Sequence, residues 1–371
     1  MSIPVTAAVL RETGGLLWFE ELVLDKPRAD EVLVRTVATG ICQTDAHVRN
    51  QHIPSPMPIV LGHGGAGVIE EVGAAVTSVA PGDHVVLSYQ SCGHCRSCWS
   101  GHPAYCDHAF AANFSGRRLD GTSGLRSREG EVINGRFFGQ SSFATYALAS
   151  ERNVVKVPND LPLELLAPLG CGLQTGAGSI LHALAVPSGA SLVVFGVGAV
   201  GMAAIMAAHL AGAATVIAVD VHAERLAFAH ELGATHRVAV GRDDNVATQI
   251  KKICSRGVDY VLDTSGHKDS LLAGLDVLAS GGRFGFVAFN QGSDASLQAS
   301  SLFVGKALQG IIQGDAVPQR FIPELISFYR IGRFPFDRLV SFYDFQDIEQ
   351  AFNDCAAGAV VKAVLRFPVA G

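Results

Sequence analysis

Between Ser191 and Asp220 the chain reads SLVVFGVGAVGMAAIMAAHLAGAATVIAVD, with no Asp, Glu, Lys or Arg before its last residue. So apolar a run has few ways to fold. It is long enough for a membrane span of ~20 residues, but glycines at 196, 198 and 201 interrupt it after a short β-branched segment. The alternative is a strand, a turn, a helix and a second strand ending on an acid, within a parallel sheet covered on both faces, where strands read as continuous apolar runs. In that context the G-x-G-x-x-G spacing is the dinucleotide-binding fingerprint. Gly196 permits the tight turn, Gly198 lets backbone approach a pyrophosphate, and Gly201 lets helix and strand pack closely; the helix N-terminus offers free N–H groups to phosphate. Asp220 follows the second strand, Thr215 to Val219, where ribose hydroxyls would lie, and its charge would repel a 2′-phosphate. NAD is therefore expected rather than NADP. Nothing else in the chain looks like an anchor, so no membrane partner is expected.

A chain of 371 residues, nearly half of them apolar, has material for about two domains of ~150 residues and an ample core. The formal net charge of −6, with no basic run interleaved with aromatics, argues against a nucleic-acid partner. The opening MSIPVTAAVLRETGG has no charged segment followed by an apolar one, so a secretory signal is not expected there. Eight cysteines are present, but four crowd between Cys92 and Cys106, which suits a metal better than a disulfide framework and points to reducing cytoplasm.

The N-terminal part, from Val5 to Val37, alternates apolar and polar residues over short runs with turn signals at Gly14-Gly15 and Pro27, the pattern of a β-rich domain. Its clearest strand, EVLVRTVATGIC, delivers Cys42 just after a glycine, and Thr44, Asp45 and His47 follow closely. PIVLGHGGAGVIEEVG sets His63 in a glycine-rich turn before a strand, where the glycines leave room for a metal or ligand. Asp83 and His84, in a turn feeding a strand, read as structural. Cys92-Gly-His-Cys95-Arg-Ser-Cys98, with Cys106 beyond, can wrap one tetrahedral metal, and an all-sulfur site is closed and structural, leaving no position for substrate. Iron–sulfur ferredoxins place a fourth cysteine nearer and before proline, whereas Asp107 follows here. A nucleic-acid-binding zinc module is opposed by the acidic balance.

From Asp107 to Gln140 the chain is polar and glycine-rich, which suits an excursion over a site rather than core. Phe137, Phe138 and Phe143 then read equally well as walls of a substrate cleft or as ordinary core. In LAPLGCGLQTGAGSI, Cys171 lies between glycines at the entry to the nucleotide-binding unit. With Cys42 and His63 it completes a Cys₂His set, a catalytic zinc arrangement that keeps one position open, expected in a cleft between the two domains.

These motifs, Cys42-x-Thr-Asp, Gly62-His63, the Cys92/Cys95/Cys98/Cys106 lobe, Cys171-Gly-x-x-Thr-Gly and Gly196-Val-Gly-Ala-Val-Gly with Asp220, resemble the zinc-dependent medium-chain alcohol dehydrogenases over essentially the whole chain. ATGICQTD, VVLSYQSCGHC, GHPAYC and FFGQSSFATYALA resemble the branch acting on aryl and allylic alcohols, such as benzyl alcohol dehydrogenases. The resemblance implies an α/β protein: a GroES-like β-rich catalytic domain, 1–171 and 315–371, with its structural zinc lobe at about 92–106, and a Rossmann doubly wound coenzyme domain, 172–314. GVDYVLDTSG and GGRFGFVAF read as further parallel strands, and VVKAVLRF as a last strand rejoining the first domain. Cys254 and Cys355 match no ligand position and read as packing residues.

By resemblance, the open position on the catalytic zinc takes a primary alcohol, lowers the pKa of its hydroxyl so that the alkoxide forms, and NAD accepts the hydride to give the aldehyde. Thr44 would accept the hydroxyl proton and pass it through the cofactor ribose to His47, and Asp45 would orient His63. Thr175 and Val200 match positions touching the nicotinamide, Arg225 one near the adenosine ribose, and Lys362 a basic residue reaching the cofactor phosphates. Two zinc ions per chain and a homodimer or homotetramer are implied. Two residues depart from the family pattern. Gln43 replaces a His or Arg that contacts the pyrophosphate, and Gly64 replaces a Glu close behind the zinc. The rival readings are a zinc-lacking quinone or enoyl reductase of the same superfamily and a non-catalytic zinc- and nucleotide-binding relative.

Overall fold

The computed structural model describes residues 2–241, 245–288 and 296–368. The chain divides into two compact units, Met1–Cys171 with Val317–Glu324 and Asp337–Gly371, and Gly172–Ala316 with Leu325–Phe336.

The first unit is built on two sheets. One runs in the order Ile59–Val60, Ile3–Leu10, Leu17–Leu24, Leu125–Ser127, Val132–Ile133. In the other, Glu31–Gly40 is central: it pairs antiparallel with Gly65–Val72, Tyr146–Ser150 and Lys362–Arg366. The last of these brings the C-terminal strand onto the strand that leads into Cys42, with Val364 opposite Gly40. Val5, Ala7 and Val9 are buried along one face of the first strand, as alternation requires, and Ala8 and Leu10 are covered on the other. A cluster containing Val9, Ile41, Val48, Leu61, Phe137, Phe143 and Phe352 lies between the elements, so Cys42 and His63 each follow closely on a buried core residue, Ile41 and Leu61.

Residues 107–140 depart from the expected polar excursion. They supply the helix Ala109–Phe114 and two strands of the first sheet, and they bury Arg136, Asn113, Ser123 and Asn134. The polar composition is accounted for by internal partners rather than by solvent. Arg136 lies 3.3 Å from the Glu31 carboxylate and donates to the Leu148 carbonyl, while Arg118 clamps Glu31 at 2.6 and 2.9 Å. This buried arginine–glutamate–arginine group ties the segment to the central strand.

The second unit holds a six-stranded parallel sheet in the order His236–Ala239, Thr215–Asp220, Ser191–Phe195, Val258–Asp263, Leu278–Phe286, Ala307–Gly310. Chain order reverses between Ser191–Phe195 and Val258–Asp263, and such a switch point is where open α/β sheets bind ligands, beyond the carboxyl ends of the strands. Phe289, the last residue of the expected strand GGRFGFVAF, lies outside the described residues. No helix among the described residues is long and apolar enough to cross a membrane. The helix Ala199–Ala211 is nevertheless apolar nearly all round, with Met202 to Ala208 buried, because it packs within the unit.

Candidate functional site

Cys42 lies two residues beyond the end of the central strand and caps the helix Gln43–Arg49. The cap is made by Asp45: its carboxylate accepts from the Cys42 N–H at 3.0 Å. The same side chain reaches across to the second ligand segment, accepting from the Gly62 N–H at 3.1 Å and from His63 Nδ1 at 3.0 Å. Asp45 and His63 are both fully buried, so these bonds are not shared with solvent. Gln140, which the sequence reading missed, completes the support. Its Nε2 donates to the carbonyls of His63 and Ser88 and its Oε1 accepts from the Gly65 N–H.

This scaffold leaves His63 Nε2 buried without a hydrogen-bond partner. A ligand atom of His63 and the thiols of Cys42 and Cys171 all lie within 4.8 Å of one another. The two sulfurs are 3.9 Å apart, with Cys171 donating to Cys42. That bond, together with His63, holds the Cys42 thiol well below its ordinary value, and Cys171 is pushed up in return. Burial alone would lower His63, but the Asp45 carboxylate and Cys42 raise it to about 10. A buried imidazole nitrogen without a partner, grouped with two thiols, is a donor set of the kind that suits zinc. Phe138 stacks on the His63 ring at 4.4 Å and Phe137 meets it edge-on at 5.4 Å. Both wall the histidine, whereas Phe143 is core, edge-on to Phe352.

Thr44 and His47 follow on the same helix; Thr44 Oγ1 is 3.7 Å from Cys42 Sγ. Gln43 is exposed. Lys362 is buried, and its Nζ donates to the Ile41 carbonyl at 2.6 Å, one residue before Cys42. At Gly64 a Cβ would meet the Gly40 and Ala167 carbonyl oxygens at 3.4 and 3.6 Å, so the position accepts a side chain but faces it with acceptors.

Cys92, Cys95, Cys98 and Cys106 form a second group whose sulfurs lie within 4.8 Å of one another. Backbone N–H groups point at the sulfurs: Cys92 and His108 donate to Cys106, and Asp107 donates to Cys95. The last of these, with Cys98, draws the Cys95 thiol down to about 6, whereas burial pushes Cys106 up to about 12. Cys254 and Cys355 belong to neither group; both are partly buried against core clusters.

In the second unit the strand Ser191–Phe195 runs into the glycine turn and the helix Ala199–Ala211, capped by Gly198. Gly196 has φ +79, and a Cβ on Gly201 would sit 2.0 Å from the Gly196 carbonyl oxygen, so those two glycines are required by the fold itself. Gly198 is different. A Cβ there would meet nothing within 4 Å, so the fold leaves open the space that a pyrophosphate would fill. Asp220 Oδ2 accepts from the Val197 N–H at 2.8 Å, placing the acid against the turn. The Thr264 hydroxyl, also missed from sequence, closes the turn by donating to the Gly196 carbonyl at 2.7 Å. Thr175 lies on the helix Gly172–Gly178, which packs against Val200 so closely that a Cβ on Gly176 would be 2.0 Å from the Val200 carbonyl oxygen. Arg225, on the helix Ala223–Glu231, keeps a buried Nε without a hydrogen-bond partner.

Comparison with known proteins agrees with this construction. Residues 28–159 match the alcohol dehydrogenase GroES-like domain and residues 199–330 the zinc-binding dehydrogenase domain. Geraniol dehydrogenase of Castellaniella defragrans is 43% identical over 369 residues, 98% of each chain. Among solved structures, an alcohol dehydrogenase zinc-binding domain protein from Burkholderia ambifaria shares 51% identity with TM-score 0.96 over 100% of both chains. Benzyl alcohol dehydrogenase from Acinetobacter calcoaceticus shares 43% with TM-score 0.94, covering 99% of this chain and 100% of that one. The β-rich unit, the parallel-sheet unit with its glycine turn and near-full-length identity above 40% lead to one conclusion: the chain belongs to the zinc-dependent medium-chain alcohol dehydrogenase family.

Proposed function

We propose that the protein is an NAD-dependent zinc enzyme interconverting primary aromatic or allylic alcohols and their aldehydes, with one catalytic and one structural zinc per chain. The observation that carries this reading is the buried Cys42, His63 and Cys171 set, whose histidine nitrogen has no partner although Asp45 holds the ring in place. A zinc ion there would supply Lewis-acid charge that lowers the pKa of a bound hydroxyl, and NAD would accept the hydride.

The chain's own residues have distinct tasks. Asp45 fixes the tautomer of His63 by taking its Nδ1 proton in a hydrogen bond, leaving Nε2 as the ligand atom. Thr44 would accept the substrate's hydroxyl proton and His47 would receive it next; burial, with His52, lowers His47 below the ordinary histidine value, which favours the neutral ring that can take a proton. The four cysteines of the lobe would hold the structural ion. The turn at Gly198 would admit the pyrophosphate, with Thr175 and Val200 towards the nicotinamide, Arg225 towards the adenosine ribose and Lys362 towards the phosphates. Asp220 would favour NAD, since a 2′-phosphate beside a carboxylate is repelled.

The aromatic and allylic substrate class rests on the relatives named for geraniol and benzyl alcohol. Gln43 and Gly64 would tune the enzyme, giving weaker coenzyme retention and a more positive zinc environment. A homodimer or homotetramer in the cytoplasm, without nucleic-acid or membrane partners, completes the reading. The test is reduction of NAD and of NADP by purified protein with benzyl alcohol, geraniol and a saturated primary alcohol. NADH formation with the first two, and little with NADP or the saturated alcohol, is expected. No alcohol-dependent reduction of either coenzyme would overturn the reading.

A further inference from the structure

The helix Gln43–Arg49 ends in a way that recruits a second imidazole to His47. Gln51 adopts φ +56, in the left-handed region, and its Nε2 donates to the carbonyls of Val48 and Ser55 at 3.2 and 3.1 Å. The Gln51 N–H donates to the Val48 carbonyl at 2.9 Å and the His52 N–H to the His47 carbonyl at 2.8 Å. These are the two bonds of a Schellman helix end, which folds the residue beyond the left-handed one back over the last turn. The side chains brought together there ordinarily make an apolar contact. Here they are His47 and His52, with Nδ1 atoms 3.4 Å apart and ring centroids 5.6 Å apart.

An apolar pair would serve the helix end equally well, so two imidazoles in hydrogen-bond contact call for another explanation. At this separation one Nδ1 carries a proton and the other accepts it. His47 is half-buried and His52 exposed. The groups acting on His47 are burial and His52, which lower it, and the Cys42 thiol, which opposes them.

We propose that His52 is the terminal member of the proton path, taking the Nδ1 proton of His47 when His47 receives a proton on Nε2. This rests on the reading of His47 as a proton acceptor in alcohol oxidation. The transfer balances: the Nδ1–H bond of His47 breaks as an Nδ1–H bond forms on His52, and His52 releases its Nε2 proton to water. Nothing is oxidised or reduced in it, and aldehyde reduction runs it in reverse. The half-buried ring is thereby discharged through an exposed one.

The experiment compares wild type, His52→Ala, His52→Asn and His47→Gln as zinc-loaded proteins. Alcohol turnover is followed against pH at several imidazole concentrations, and the histidine ring titrations are followed by NMR on ¹³C-histidine-labelled protein without coenzyme or alcohol. His52→Ala is expected to lower turnover about 5-fold near neutrality, less than the ~10²–10⁴ of a direct general base. Added imidazole should restore it, and the midpoint of His47 should move upward. His52→Asn should match His52→Ala, because an amide cannot carry the proton onward. The inference is overturned if His52→Ala keeps the wild-type pH profile, shows no imidazole dependence and leaves the His47 titration unmoved. Impairment in His47→Gln alone removes the role of His52 but keeps the path to His47. Unimpaired His47→Gln overturns both, and so does absence of any alcohol turnover in the wild type.

Discussion

Asp45→Asn separates positioning from bulk structure at the proposed catalytic metal. The carboxylate is buried and takes three donors, at 3.0 Å from Cys42 N, 3.1 Å from Gly62 N and 3.0 Å from His63 Nδ1. Asparagine has the same shape. With its oxygen at the Oδ1 position it keeps Gly62 and His63, and its NH₂ then opposes the Cys42 N–H, leaving a buried donor unpaired at about 1–3 kcal/mol. The flipped amide is worse, because it opposes two donors. The bond that remains to His63 also loses its charge assistance, which roughly doubles such a bond. Outer partners of metal ligands typically contribute about 10–100-fold in affinity. That factor is ~1.4–2.7 kcal/mol, the same range as the unpaired donor. We therefore expect one of two zinc ions to be lost to a chelator at about 10–100-fold lower concentration, with a fall in Tm of a few degrees and the four-cysteine ion retained. Chelator titration with zinc counting is the assay. Wild-type retention of both ions together with wild-type turnover would refute the positioning role.

Further outcomes follow from the same geometry. Gly198→Ala should leave Tm unchanged within about a degree while weakening NADH binding measured by fluorescence, because a Cβ there meets nothing in the protein; Gly201→Ala should lower Tm, because its Cβ would overlap the Gly196 carbonyl. Glu31→Gln leaves Arg118 and Arg136 buried without their carboxylate and should cost about 3–5 kcal/mol in denaturant unfolding. Burial would raise the Glu31 carboxyl, but Arg118 and Arg136 hold it below the usual 4.5. Its stabilisation is thus present above that value and lost as pH falls through the lower folded value, so the variant should show a flatter acid limb of stability. Gln43→Arg should tighten NADH binding and slow coenzyme release in stopped-flow experiments, and Gly64→Glu should alter turnover, since each restores a charge the family pattern carries there.

Much of the site is visible along the chain because its signals are local. Cys92, Cys95, Cys98 and Cys106 lie close enough in sequence to name one metal group, and Gly196, Gly198 and Gly201 lie on a single strand-to-helix turn. Cys171 is 129 residues from Cys42, and in the sequence only donor chemistry and the family pattern link them, not spacing; in the fold their sulfurs are 3.9 Å apart. Gln140 and Thr264 escaped notice because an isolated glutamine or threonine carries no periodic signal, and their partners, His63, Gly65 and Gly196, lie 68 to 77 residues away. Residues 107–140 misled by composition: Arg136 and Asn113 look like solvent-facing polarity until their buried partners are known. His52 is likewise unremarkable in sequence, since what brings it to His47 is the left-handed turn at Gln51.

Cys42, His63 and Cys171 are proposed to hold a catalytic zinc while the four-cysteine lobe holds a separate structural one. The most direct measurement is zinc per chain, by elemental analysis, in wild type and in Cys42→Ser, with benzyl alcohol-dependent NADH formation read on the same samples. We expect two ions and activity in the wild type, and one ion, a folded chain and no activity in the variant. A single ion in the wild type, or a Cys42→Ser protein that keeps both two ions and its turnover, would contradict that assignment.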